Sequence, residues 1–306
     1  MKVTRLNNAE FVRVSGPDAM EFLQGQLTCD MKKLSTSISL TGAICNLKGR
    51  VIANFQIALD GKDILLRTSI GMADQIIGTL IKYAVFSKVE LSKDERVLCS
   101  FGLLGSGSRE FLAQHFTDLT KEMANCCSSS EGICIQLPSE HCRFELWCTD
   151  SALKKTLEEK ISAKDITTQW HREDILAGIV HIGCDTSERY TPQLLNYDIS
   201  GVIDFNKGCY TGQEIVARMY YRGSLKKRLY LLASDFPVEQ GANLLERRDN
   251  NVSTAEVLSF CNSSLDAPNQ SLLLAILNAE AVDDKAEFVM SNKPDSVLKI
   301  QSLSYT

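Results

Sequence analysis

The sequence lacks long apolar runs. No stretch of about 18 apolar residues occurs, so no membrane-spanning helix is expected. The first residues, MKVTRLNNAEFVRV, have no apolar signal core and carry an early acid, Glu10; they read as neither a secretory signal nor a transit peptide. Basic charge is not in excess. Against 38 Asp and Glu stand 33 Lys and Arg, for a net charge of −5, so the global basic footprint of a nucleic-acid binder is absent. Any contact with RNA falls to a local patch. The strongest is Arg218 to Arg228, with five Lys/Arg in eleven residues and Tyr220 and Tyr221 interleaved. A run of this kind also serves as a solvated face or as the rim of an anion site.

Histidine is scarce. The four residues, His115, His141, His171 and His181, are scattered and supply no evident base for a Cys–His hydrolase. There is no G-x-S-x-G, no P-loop, no HExxH and no dinucleotide glycine fingerprint. Cysteine is abundant, at eleven residues, but no CxxC pair occurs. The adjacent Cys126 and Cys127, and the pair His181 and Cys184, do not make a zinc site by themselves. No metal is expected. Without a signal peptide, reduced thiols in the cytosol are the default. Cys45, Cys99, Cys134 and Cys148 lie in apolar, strand-like runs and read as small buried hydrophobes.

A chain of 306 residues accommodates two or three domains. In SGPDAMEFLQGQL, Ser15 suits a helix N-cap, with Pro17 in the first turn and an end near Gly25. Strands are predicted over 40–46, 50–59 and 63–68, joined by turns at Leu47-Lys48-Gly49 and Asp60-Gly61. A helix at 71–83 follows, with Met72, Ile76, Ile77, Leu80 and Ile81 at helical spacing. Further strands are predicted at 87–91, 96–103, 132–137 and 143–149, with helices at 107–116, 151–161 and 169–177 and a loop at SSSEG. Sheets and helices mixed without strict alternation indicate an α+β fold. Past Lys227 the pattern changes to short strands spaced by turns, which predicts a small C-terminal β-barrel over 226–306 after an α+β region of two interleaved lobes over 1–225.

The chemistry concentrates in FNKGCYTGQEIVARMYYRG, residues 205–223. Thr211 and Glu214 have the spacing of a capping box, which starts a helix near Gly212. Cys209 then lies just before a helix N-terminus, beside Lys207 and upstream of Arg218, Arg222 and Lys226. Helix dipole and cations both favour thiolate, the reactive form. The alternative is that Cys209 is a small residue in a tight strand-to-helix turn, where Gly208 and Gly212 let the backbone bend.

These residues resemble a family. KGCYTGQE at 207–214 is similar to the signature of the YgfZ family, part of the folate-binding superfamily that includes the glycine cleavage T protein. FLQGQLTCD at 22–30 and CNLKGRVIANF at 45–55 resemble two further motifs of it. LIKYAVFSKVELSKDERV at 80–97 looks close to bacterial members, and TPQLLNYDISGVIDF leads into the cysteine motif. The resemblance spans most of residues 1–230. It implies a three-lobed ring with a central channel that accommodates folate, the last lobe a small β-barrel. It also implies a cytoplasmic protein that binds tetrahydrofolate or a derivative. Such a protein supports iron–sulphur enzymes, among them the radical enzyme that methylthiolates tRNA.

Residue by residue, Cys209 matches the motif cysteine and Lys207, Gly208, Gln213 and Glu214 its neighbours. Lys48, Gly49 and Arg50 match a KGR turn lining the channel, where the two cations suit the carboxylates of a folate glutamate tail. Trp170 matches an aromatic associated with folate; ordinary packing is its other reading. Its expected partner is a Trp where this chain has Phe11, which keeps a π-face and loses the indole N–H. Ala53 and Asn54 stand where the T protein carries an acidic pair, which argues against aminomethyl transfer. Three functions follow: a folate-binding accessory protein for iron–sulphur enzymes, a folate-dependent C1-transferase, or a direct tRNA-binding module. The acidic composition favours the last one least.

Overall fold

In the computed structural model, residues 1–116, 119, 126–161, 165–223, 225–248, 251–262 and 270–305 are described. The chain opens with β1 (Lys2–Leu6), β2 (Ala9–Ser15) and α1 (Ala19–Gln24), then β3 (Leu40–Cys45), β4 (Val51–Asp60), β5 (Asp63–Ser69) and α2 (Ala73–Leu80). There follow β6 (Glu90–Lys93), β7 (Cys99–Leu104), α3 (Gly107–Leu112), β8 (Cys126–Ser129), β9 (Gly132–Gln136) and β10 (Arg143–Cys148). Helices α4 (Ser151–Glu158), α5 (Asp165–Leu176) and α6 (Gln213–Arg222) come next. The remaining elements are β11 (Lys227–Ser234), β12 (Asn243–Arg248), β13 (Asn251–Cys261), β14 (Ser271–Asn278), α7 (Ala279–Asp283), β15 (Glu287–Met290), β16 (Lys293–Val297) and β17 (Lys299–Gln301). This is the mixed α+β composition expected.

The chain forms two compact units that alternate along the sequence. One holds residues 1–166, 181–191 and 201–217; the other holds 167–180, 192–200 and 218–306. The first unit contains two antiparallel sheets. One has the order β3-β4-β5-β2-β6. Phe22 and Leu23 of α1 and Ala73, Ile76 and Leu80 of α2 bury against its Val12, Val14, Ile57 and Leu66. The other has the order β1-β7-β10-β9-β8, with Leu112, Leu153 and Leu157 from α3 and α4 packed on Phe101, Leu103, Phe144 and Leu146. Burying such side chains contributes about 1.5–3 kcal/mol each. Between the sheets, the buried Arg67 donates from Nε to Glu145 Oε1 at 2.9 Å, and Trp147 Nε1 donates to the same oxygen at 3.0 Å.

The second unit is built on a seven-stranded antiparallel sheet, β16-β15-β12-β13-β14-β11-β17, curled into a half-barrel around Leu232, Leu244, Leu273, Phe288 and Met290. Arg228 closes a bidentate ion pair with the buried Asp198 at 2.9 and 3.0 Å, and Asn196 Nδ2 donates to the Leu229 carbonyl at 2.8 Å.

Three local expectations need correction. Helix α1 starts at Ala19, not near Pro17, with Asp18 at the N-cap position and no side-chain cap. The Asp18 carboxylate accepts from the Lys88 N–H instead, at 2.7 Å. The SSSEG segment is not a loop throughout: Ser128 and Ser129 end β8, paired with Ile133 and Gly132. The helix expected over 71–83 divides into α2 and a 3-10 turn, Ile81–Tyr83. No helix of the described residues is long and apolar enough to cross a membrane.

Candidate functional site

The three motifs quoted for the resemblance meet in the first unit. The loop 207–212 is held by Lys207, whose Nζ donates to the main-chain carbonyls of Gln24 at 2.6 Å and Leu27 at 2.5 Å. Those carbonyls lie at and just past the C-terminus of α1, the end that carries the negative partial charge. Lys207 is 9 % exposed and lies over the Tyr210 ring at 5.2 Å. Burial lowers its pKa, opposed by the nearby Cys29, Asp30 and Asp204. Its charge is therefore turned inward to the FLQGQL segment. The Thr211 N–H donates to the Gly25 carbonyl at 3.1 Å and its hydroxyl to Gln26 Oε1 at 2.9 Å.

The capping box is shifted by one residue. Helix α6 begins at Gln213, and the bond that reaches back runs from the Tyr210 N–H to Gln213 Oε1 at 3.3 Å. Thr211 faces Gln26 instead, because Gly212 (φ +84°) turns the chain between it and the helix. Cys209, Gly208 and Glu214 are exposed. Beneath them the Tyr210 hydroxyl is buried, without a hydrogen-bond partner among the described residues, and burial beside Cys45 raises its pKa.

The KGR turn lies against the same helix start. Asn46 Oδ1 accepts from the N–H groups of Lys48 (2.9 Å) and Arg50 (3.0 Å), and Gly49 (φ +69°) completes the turn. A Cβ on Gly49 would stand 2.8 Å from Ile215 Cγ2, and one on Gly212 would collide with the Asn46 carbonyl. Two glycines thus permit the close approach of turn 46–50 to α6. Lys48 and Arg50 are exposed, and among the described residues neither joins an ion pair; Arg50 Nη1 donates to the Arg189 carbonyl at 2.6 Å.

Segment 181–191 runs beside β4, exchanging main-chain bonds between Val51 and both Tyr190 (2.9 Å) and Glu188 (2.7 Å). Ala53 is fully buried in the core, and Asn54 Oδ1 accepts from the Ile182 N–H at 3.1 Å. Neither side chain is a titrating group. Phe11 packs edge-on against Trp147, with centroids 5.1 Å apart at 68°, and lines a cavity of about 350 Å³ with Arg5, Glu10, Lys93, Asp94 and Cys99. That contact with Trp147 has no simple signal in the sequence. Trp170, on α5 in the second unit, is 4 % exposed. No group of His, Cys, Asp or Glu able to hold a metal occurs among the described residues.

The residues present fit a folate at one end. Lys48 and Arg50, exposed on the turn and in no ion pair among the described residues, suit carboxylates of a glutamate tail. The reduced pterin needs an aromatic face and polar partners. Of the two aromatic candidates, Phe11 already has its ring against Trp147 and Trp170 is almost fully buried.

No protein-family model matches the chain. Its fold matches the crystal structure of glycine cleavage system aminomethyltransferase T from Bartonella henselae. The TM-score is 0.79 over 100% of this chain and 86% of that one, at 18% identity. The class is therefore that of the aminomethyltransferase T fold. Two relatives narrow it. The tRNA-modifying protein YgfZ of Photorhabdus laumondii is 36% identical over 233 residues, 74% of this chain and 69% of that protein. Its counterpart in Yersinia enterocolitica is 31% identical over 316 aligned residues, 98% of this chain and 91% of that protein. The chain belongs to the YgfZ family.

Proposed function

We propose that this protein is a cytoplasmic, folate-binding accessory factor that supports iron–sulphur enzymes and, through them, tRNA modification. The observation that carries the reading is the convergence of three motifs. The α1 end, the KGR turn and the cysteine loop share one locked framework, with Lys48, Arg50 and Cys209 exposed on it. Framework and fold class support tetrahydrofolate or a derivative as the ligand, and the relatives' name supports tRNA modification. The three-lobed ring implied by the resemblance belongs to this proposal.

Tetrahydrofolate would supply a reduced pterin and a carboxylate tail. Lys48 and Arg50 hold the tail; Phe11, in the same unit, is the aromatic candidate for the pterin side. Gly208, Gln213 and Glu214 shape the loop edge, where Gln213 fixes the turn through Tyr210. Cys209 offers a thiol to a client protein. One thiolate does not hold a cluster alone, so any cluster contact there is shared with the client. The alternative of aminomethyl transfer lacks a carboxylate at Ala53 and Asn54. Direct tRNA binding draws support from Tyr220 and Tyr221, both exposed on α6 beside Arg218, and remains the second reading.

The test is replacement in a bacterium whose own YgfZ protein has been deleted, with methylthiolated nucleosides of bulk tRNA as the readout. The wild-type chain restores them and Cys209→Ala does not. Equal restoration by Cys209→Ala removes the thiol from the proposal.

A further inference from the structure

The second sheet of the first unit carries a pair of cysteines to which the proposed function gives no role. Cys99 on β7 and Cys148 on β10 are directly opposed in the antiparallel register, next to the pair Ser100 and Trp147. Directly opposed antiparallel residues hold their Cα atoms about 4.5–5.5 Å apart, within the roughly 4.4–6.8 Å that a disulfide spans. Both side chains leave the same face of the sheet, where Cys99 packs against the core cluster that contains Cys148. The register alone brings the pair within reach of a bridge.

The two sulphurs are not equivalent. Cys148 is fully buried, and its thiol also lies 3.2 Å from the Asp150 carbonyl. Cys99 is half-buried and lines the cavity of about 350 Å³ that Arg5, Phe11 and Asp94 share. The neighbouring Cys148 thiol lowers the Cys99 pKa, against its partial burial and with help from Arg5 and Lys154. The Cys148 thiol is raised, first by the neighbouring Cys99 and then by burial. One thiol is reachable and inclined to ionise; the other is fully buried.

We propose that Cys99 and Cys148 are a peroxide-reactive dithiol that closes to a reversible disulfide. The Cys99 thiolate attacks one oxygen of hydrogen peroxide, the O–O bond breaks, and the departing hydroxide takes up a proton as water, leaving Cys99 as a sulfenic acid. The Cys148 sulphur then attacks the Cys99 sulphur. The S–O bond breaks, and the hydroxide leaves with the Cys148 proton as a second water. Two thiols and one peroxide give one disulfide and two waters, and a dithiol reductant reverses the change. The opposed pair Cys127 and Cys134 has the same register relation. Both are buried, however, and burial raises the Cys134 thiol well above its ordinary value.

The full-length reduced chain is treated with equimolar hydrogen peroxide and quenched with catalase. Its remaining thiols are alkylated in denaturant, and the peptides are mapped by mass spectrometry with and without dithiothreitol. The expected result is a dithiothreitol-sensitive link between the Cys99 and Cys148 peptides in most chains. In Cys99→Ser the link is lost and Cys148 stays fully alkylatable. In Cys148→Ala, Cys99 is captured as a sulfenic acid by a dimedone probe. If the Cys148 variant fails to fold, the wild-type map and the Cys99 variant decide the question. Recovery of Cys99 and Cys148 as alkylated thiols after peroxide overturns the proposal. So does a link between Cys127 and Cys134 in their place.

Discussion

Lys207 donates from Nζ to the carbonyl of Leu27 at 2.5 Å, a bond that joins positions 180 residues apart in the chain. It makes Lys207 the brace of the cysteine loop rather than a charge beside Cys209. Replacing it with Met keeps the stem and removes the donor, leaving two carbonyls at the end of α1 unmet. A loss of about 2–3 kcal/mol is expected, read as a lower urea midpoint at unchanged slope. A midpoint equal to wild type contradicts the brace.

Gly212 permits the contact between the cysteine loop and the KGR turn. Gly212→Ala places a Cβ against the Asn46 carbonyl at φ +84°. The expected cost is roughly 1–3 kcal/mol. The same substitution at Gly61, also at positive φ but with open space around it, costs only the strain, about 1 kcal/mol. Urea titrations of the two variants side by side separate collision from strain.

The two sheets of the first unit depend on a buried charge pair. Arg67→Met leaves Glu145 a buried carboxylate with the Trp147 N–H but no cation beside it, and a loss of about 3–5 kcal/mol is expected. Changing Arg67 and Glu145 together to Met and Leu recovers much of that loss. A double variant no better than the single contradicts the assignment.

Acid stability has a named contributor. The hydrogen bond from Lys33 lowers the Asp204 pKa, against partial burial and with the Asn206 N–H helping. A depressed carboxyl stabilises the fold above its unfolded value and loses that contribution as pH falls through its folded value. Asp204→Asn therefore lowers the urea midpoint at neutral pH, and the gap to wild type narrows as pH falls below the ordinary carboxyl range. A gap of constant size across that range contradicts the assignment.

Much of the local structure was legible. Turn chemistry at Lys48-Gly49 and Asp60-Gly61 located β3, β4 and β5 to within a residue or two, because glycine at positive φ is a backbone requirement visible in sequence. Gly25 marked the end of α1 as its C-cap, although its φ of −81° is one that any residue adopts. The capping pattern at Thr211 misled by one residue, because Gln213 competes with Glu214 for the same reach-back role and Gln26 takes the threonine hydroxyl. The inward turn of Lys207 was not legible: a lysine beside a cysteine looks like an activating charge until its carbonyl partners are known. The alternation of the chain between two units is likewise a long-range property that no local pattern encodes.

The central claim is folate binding at the framework that carries Lys48 and Arg50. The most direct measurement is anaerobic calorimetric titration of the reduced chain with tetrahydrofolate, alongside Lys48→Ala/Arg50→Ala. Saturable binding is expected in wild type. The double variant weakens it about fivefold to thirtyfold, at roughly 0.5–1 kcal/mol per lost cation contact. Absence of binding to the wild-type chain, or equal affinity in the double variant, contradicts the account and leaves a thiol-based role for Cys209 with a protein client.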